Sequence, residues 1–225
     1  MDPDNRTGGD DEARGGSPPC LLDELDPTVR GYADDETARD VSRWRKAERE
    51  RLLAARMGLS VAARQAASLA LAEALDARFG GLGGAMVALY WPFRGEPDLR
   101  PWAGRQRRHG VRFCLPVVVE KAKPLVFRHW VEGAGLVRGV WNIPVPDETA
   151  GEVRPDLLVA PVVGADNAGF RLGYGGGYYD RTLAALHRQG HRPQVIGVGY
   201  EMQRIATIFP QPHDVPMTEI VLVAP

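Results

Sequence analysis

Cysteine is nearly absent from this sequence: Cys20 and Cys114 are the only two in 225 residues. Two thiols exclude a disulfide framework, and no CxxC or Cys/His cluster points to zinc. The N-terminus lacks the basic-then-apolar pattern of a signal peptide, and no uninterrupted apolar run approaches membrane-spanning length. A soluble, cytoplasmic protein without a membrane partner is therefore expected. An excess of either charge is missing too, since 28 Lys+Arg against 29 Asp+Glu leaves a net charge of −1. That average hides an asymmetry. Residues 1–40 hold 12 acidic and 4 basic side chains, so the rest of the chain is mildly basic. Such a body suits an anionic ligand, but its charge is too weak and scattered for a nucleic-acid groove.

Large apolar side chains are scarce in residues 1–40, apart from an island at Leu21, Leu22 and Leu25. Such a segment cannot bury enough surface to offset the entropy of ordering, so a disordered acidic leader is expected. Residues 41–225 read as one domain. A densely basic helix is expected from about Val41 to Met57, carrying Arg45, Lys46, Arg49 and Arg56. A second begins after Ser60, a plausible N-cap, with Ala66, Leu69, Ala70 and Leu75 near helical spacing, and stops at Gly80–Gly81. Residues Asp98 to His109 read as a third helix capped by Asp98. Strands are expected at Met86–Trp91, Val111–Val119, Leu125–Trp130, Leu157–Val163, Val195–Val198 and Ile220–Val223, with Pro116 marking an edge or a bulge. Continuous apolar strands alternating with helices predict an α/β domain, a mostly parallel sheet covered on both faces.

The most informative segment is Arg171-Leu-Gly-Tyr-Gly-Gly-Gly-Tyr-Tyr-Asp-Arg181, between an expected strand and an expected helix from Tyr178 to Arg188. Gly173, Gly175, Gly176 and Gly177 free the backbone for positive φ and for close approach to a ligand. Successive N–H groups in such a turn form an anion-binding concavity, and the helix that follows adds its N-terminal partial positive charge. Arg171 and Arg181 flank the turn and could bond phosphate oxygens. Asp180, the single carboxylate here, could hold Mg²⁺ against a bound phosphate. The run lacks the Lys-Ser/Thr end of a P-loop, and Tyr178 breaks the G-x-G-x-x-G spacing. From the residues alone it is a phosphate loop.

This segment resembles the hallmark of the 5-formyltetrahydrofolate cyclo-ligase family, together with Trp141-Asn-Ile-Pro144, Pro155-Asp-Leu-Leu-Val-Ala-Pro161 and Gly197-Val-Gly-Tyr-Glu-Met-Gln203 with His213-Asp214. The likeness runs from about Arg45 to Leu222. It implies a three-layer α/β/α domain that converts 5-formyltetrahydrofolate to 5,10-methenyltetrahydrofolate with ATP and Mg²⁺. The γ-phosphoryl group would pass to the formyl oxygen, and N10 would attack the activated carbon. By the same resemblance Gly173, Tyr174, Gly175, Gly176, Gly177 and Tyr178 cradle ATP with Arg45 or Lys46 and Arg49. Asp180 binds magnesium, and Arg171 and Tyr179 stand at the reacting groups. Glu96 binds the folate pterin, with Trp141 and Tyr178 as further substrate contacts. A monomer is expected.

Three departures accompany the resemblance. Ala165-Asp166 stands where Phe-Asp is common, which predicts a larger pocket. Gly176 replaces a lysine found in some members. A late acidic magnesium position falls on Thr218, with Glu219 beside it and Asp214 upstream. A noncatalytic folate- or nucleotide-binding homologue, or an ATP-dependent enzyme acting on another formylated substrate, stays open as an alternative. His187 and His191 stand four apart, but Gly190 between them argues for a helix end rather than a metal site.

Overall fold

The computed structural model describes residues 35–225. Most of the expected leader, including Cys20 and the leucine island, lies outside the described residues. The rest of it is corrected: helix α1 spans Asp35–Met57 and so begins before position 41. Helix α2, Val61–Phe79, starts where Ser60 Oγ accepts the Ala63 N–H at 3.1 Å. Strand β1 is Met86–Ala88, and helix α3 is Arg100–Arg107. Strands β2 (Arg112–Val117) and β3 (Val126–His129) follow, then a small hairpin of β4 (Leu136–Arg138) and β5 (Pro144–Pro146). After β6 (Leu157–Pro161), a second hairpin joins β7 (Gly164–Ala165) to β8 (Arg171–Leu172). Helix α4 (Tyr178–Arg188) and strands β9 (Gln194–Tyr200) and β10 (Glu219–Val223) complete the chain.

The central sheet has six strands in the order β10-β9-β6-β1-β2-β3, parallel except for the antiparallel pair β2–β3. Its inner strands are buried along most of their length, as expected of a sheet covered on both faces. On one face Leu71 and Leu75 of α2 and Trp102 of α3 pack over Val87, Val159 and Ile196. On the other, Leu183 and Leu186 of α4 pack over Met86, Leu158 and Val195. The expected three-layer α/β/α arrangement is what forms. No helix among the described residues is long and apolar enough to cross a membrane.

Some local expectations shift. Alanine and leucine are so frequent in α2 that several faces fit a helical period. The buried one is Ala67, Leu71, Ala72 and Leu75, whereas Leu69 is 60% exposed. Pro116 sits on an inner strand rather than an edge, but beyond Cys114, the last β2 residue paired with β1. Asp98 lies one place too early to cap α3, whose N-cap is Leu99; its carboxylate still accepts the Arg100 N–H at 3.0 Å.

The strand order turns at β1. The chain leaves toward β2 and β3, then returns to β6 on the opposite side. In open α/β sheets a crevice forms beyond the carboxyl ends of strands at such a switch, and it is the usual ligand site.

Candidate active site

A cavity of about 150 Å³ occupies that crevice. Tyr90 and Trp91 follow β1, Pro116 lies near the end of β2 and Val118 just past it, and Pro161 ends β6, giving largely apolar walls. Three charged side chains reach it: Glu96, Arg171 and Asp180. The glycine loop closes one side through Gly173, Tyr174, Gly176 and Gly177, with Tyr178 and Tyr179 beside it.

The loop is built for open donors. Gly175 (φ 92) and Gly177 (φ 62) hold a conformation that side-chain-bearing residues rarely adopt, and Gly177 is the N-cap of α4. Among the described residues, no backbone N–H from Gly173 to Asp180 has a hydrogen-bond partner in the protein. The next one, at Arg181, bonds the Gly177 carbonyl at 3.1 Å. Gly175 and Gly176 are exposed and the other six residues half-buried, so this run of open N–H groups at a helix N-terminus is accessible to an anion. Two arginines support the loop from behind. Arg49 Nε donates to the Gly173 carbonyl at 2.8 Å, and the Arg181 guanidinium bonds the Gly176 carbonyl. The Arg181 Nε is buried without a partner.

Asp180 lies in the first turn of α4, where the helix dipole favours a carboxylate. Its Oδ1 accepts from Arg171 Nη2 at 3.0 Å and from the Val215 N–H at 3.2 Å. Arg171 also lies over the Tyr179 ring, 5.3 Å from its centroid. Burial pushes the Tyr179 hydroxyl well above its ordinary pKa, so it stays protonated at neutral pH. No group of three or more His, Cys, Asp or Glu poised for a metal exists among the described residues. Asp180 is the carboxylate on the loop side of the cavity, and a single such donor would suit an ion that keeps waters and takes most of its other ligands from phosphates, as Mg²⁺ does.

Glu96 stands across the cavity on a tight turn. Arg94 (φ 46) and Gly95 (φ 76) both have positive φ, and the Glu96 N–H bonds the Phe93 carbonyl at 3.1 Å. The side chain folds back over its own turn. Its Oε2 accepts the Phe93 N–H at 2.9 Å, and Oε1 accepts the Tyr174 hydroxyl at 2.8 Å. Burial raises its pKa to about 7, against the lowering pull of Arg56 and these hydrogen bonds. Above it Trp141 stacks on Phe93, centroids 6.3 Å apart and planes 10° off parallel, and meets Tyr178 edge-on. Trp141 is 55% exposed and held at φ 56, an uncommon conformation for a bulky residue and one that concentrates at ligand sites.

The family model for 5-formyltetrahydrofolate cyclo-ligases matches residues 41–223. The chain belongs to that family. It is 33% identical over 140 residues to the 5-formyltetrahydrofolate cyclo-ligase of Escherichia coli K12, covering 60% of this chain and 76% of the relative. To that of Mycolicibacterium smegmatis it is 34% identical over 160 residues, covering 66% and 80%. The solution structure of Aquifex aeolicus 5,10-methenyltetrahydrofolate synthetase superposes with a TM-score of 0.68 at 28% identity, covering 79% of this chain and 89% of that one. The Mycoplasma pneumoniae 5,10-methenyltetrahydrofolate synthetase shares the fold, with a TM-score of 0.62 at 24% identity over 79% and 97% of the two chains.

Within this cyclo-ligase-family chain the expected site residues fall into two groups. Glu96, Trp141, Arg171, Gly173, Tyr174, Gly176, Gly177, Tyr178, Tyr179 and Asp180 line one cavity. Gly175 stands outside it, its Cα facing the Arg49 guanidinium. Arg45 lies apart, with its guanidinium filled by the Ile208 and Phe209 carbonyls, each at 2.7 Å, and by Asp214. Lys46 is exposed on α1.

Two of the three departures are structural in effect, while Gly176 lines the cavity. Ala165 is buried in the β7–β8 hairpin, not on the cavity wall, so it does not enlarge the pocket. Asp166 accepts the Ala168, Phe170 and Ile208 N–H groups, which fixes the turn there. Thr218 Oγ1 accepts the Val195 N–H at 3.0 Å, and Glu219 pairs with Arg78. His191 bonds the Pro155 carbonyl at 2.7 Å, away from any metal arrangement.

Arg56 is the site neighbour that sequence reasoning passed over. Its signal is a 4-3-4 spacing. Arg45, Arg49, Leu52 and Arg56 fall on one face of α1, and the buried Leu52 shows that this face looks inward.

Proposed function

We propose that the protein converts 5-formyltetrahydrofolate to 5,10-methenyltetrahydrofolate, with ATP and Mg²⁺ as co-substrate and cofactor. The observation that carries this reading is the juxtaposition in one crevice of open N–H donors at Gly173–Asp180 and an aromatic-roofed pocket with a buried carboxylate at Glu96. A formamide is a weak electrophile with a poor leaving group. Phosphorylating its oxygen makes the carbon electron-poor and turns that oxygen into a phosphate that can depart when N10 attacks. Two binding halves side by side suit a transfer in which positioning supplies most of the rate.

In this reading the glycine loop and α4 N-terminus hold the triphosphate, with Arg49 and Arg181 bracing the loop. Arg45, held behind it by Asp214, keeps the 208–214 segment against α1. Asp180 would hold Mg²⁺, which would neutralise charge on the phosphates. Arg171, already paired to Asp180, sits where its cation can face the transferring group. Glu96 accepts from the adjacent N–H donors of the pterin, while Trp141, Phe93 and Tyr178 cover the ring. Tyr179 lines the wall between the halves as a neutral hydroxyl.

The test is direct. Purified protein is incubated with 5-formyltetrahydrofolate, ATP and Mg²⁺, and the methenyl chromophore and ADP are followed together. Stoichiometric appearance of both is expected. Tight folate binding without either product would favour a noncatalytic binding protein on the same scaffold.

A further inference from the structure

Arg56 has no place in the chemistry above, yet it is among the largest fully buried side chains of the protein. A buried guanidinium needs all its donors matched, because an unpaired buried charge is heavily penalised. Its partners come from three segments far apart in sequence. Nε donates to the Arg94 carbonyl at 2.9 Å, Nη1 to the Val162 carbonyl at 3.2 Å, and Nη2 to the Tyr174 hydroxyl. Nη2 also stands 4.0 Å from Glu96 Oε1. The Tyr174 hydroxyl passes the contact on by donating to the same Glu96 oxygen at 2.8 Å.

Two of those segments are the opposite halves of the proposed site. Tyr174 belongs to the glycine loop, and Arg94 to the turn that carries Glu96. The turn is also pressed against α1: a Cβ added at Gly95 would lie 3.5 Å from the Arg56 carbonyl and 3.6 Å from its Cγ. Neither loop can shift without stripping a donor of Arg56 or the hydroxyl contact on Glu96.

We propose that Arg56 is a positioning residue that, through Tyr174, couples the glycine loop to the Glu96 turn, so that a bound triphosphate and a bound folate strengthen each other's binding. This rests on the functional reading above. A triphosphate on the open N–H groups fixes the loop and therefore Tyr174. Tyr174 and Arg56 then fix the Glu96 carboxylate in one orientation before the folate arrives. The effect is reciprocal, since coupling between two sites acts equally in both directions.

Calorimetric titration of the full chain with 5-formyltetrahydrofolate, with and without a nonhydrolysable ATP analogue and Mg²⁺, measures the coupling. The analogue should tighten folate about fivefold or more, and folate should tighten the analogue by the same factor. Tyr174→Phe keeps the ring packed near Phe93 and Trp141 but removes the hydroxyl. Its ratio of affinities should fall to within about twofold of one. Arg56→Lys retains the charge but cannot span three acceptors, and should lose coupling in the same way wherever its melting curve shows a folded protein. Full coupling in Tyr174→Phe, or none in the unaltered protein when both ligands bind, overturns the inference alone. Failure of either ligand to bind the unaltered protein overturns the functional reading and this inference with it.

Discussion

The two walls of the cavity are made in opposite ways. The glycine loop leaves its backbone donors open from Gly173 to Asp180, whereas both carboxylate oxygens of Glu96 are hydrogen-bonded by its own turn and by Tyr174. One wall presents unpaired donors that an anion would fill. The other is already hydrogen-bonded from within, and holds a buried carboxylate whose charged form burial disfavours. The contrast teaches that glycine runs advertise a ligand through what the backbone lacks, while a site glutamate is recognised only through the partners the fold brings to it.

The sharpest way to break the comparison is Asp180→Asn, which alters the open wall alone. Turnover at saturating Mg²⁺ should fall between about 100- and 1,000-fold, the range for losing one preorganised electrostatic group. Folate affinity should change much less, and calorimetry alongside kinetics separates the two. Unchanged turnover across a magnesium titration would remove Asp180 from the site.

Glu96→Gln probes the closed wall through pH. The folded carboxyl has its pKa raised from 4.5 to about 7. Its contribution to stability is therefore fully present below about pH 4.5 and is lost as pH rises through 7. A shift of that size corresponds to about 3 kcal/mol. Relative to Glu96→Gln, which stays neutral, the unaltered protein should lose about that much stability between those pH values and change no further above them. Denaturant unfolding of both proteins at several pH values reads it, and parallel curves would contradict the assignment.

Trp141→Ala sharpens the contrast at the roof. More than half exposed, Trp141 contributes little to stability, and the substitution should move the unfolding free energy by less than about 0.5 kcal/mol. Losing an aromatic cover should raise the KM for folate about tenfold while sparing that for ATP. The smallest effect is expected from removing residues 1–34, which precede α1. Both kcat/KM values should stay within about twofold, because the described cavity lining runs from Tyr90 to Asp180.

What could be read from the sequence divides along the same line. The sheet, the Ser60 cap and the glycine loop are local statements, written in apolar runs, a hydroxyl before a helix and consecutive glycines. The partners of Asp180 at Val215, of Arg45 at Asp214 and of Arg56 at Tyr174 are not local. Each joins segments that only the assembled sheet brings together. The buried face of α2 was also illegible, because Ala and Leu fill several of its faces and only the packed sheet selects one. Arg56 was within reach, since its 4-3-4 spacing with Arg45, Arg49 and Leu52 marks an inward stripe. A basic composition disguised that stripe as a solvated surface.

The measurement closest to the central claim is the amide spectrum of the protein, labelled with ¹⁵N, as a nonhydrolysable ATP analogue and Mg²⁺ are added. The amides from Gly173 to Asp180 should show the largest shifts in the protein, with those of the 93–96 turn following to a smaller extent. Amides in that loop that stay unmoved while the analogue binds elsewhere would contradict the account.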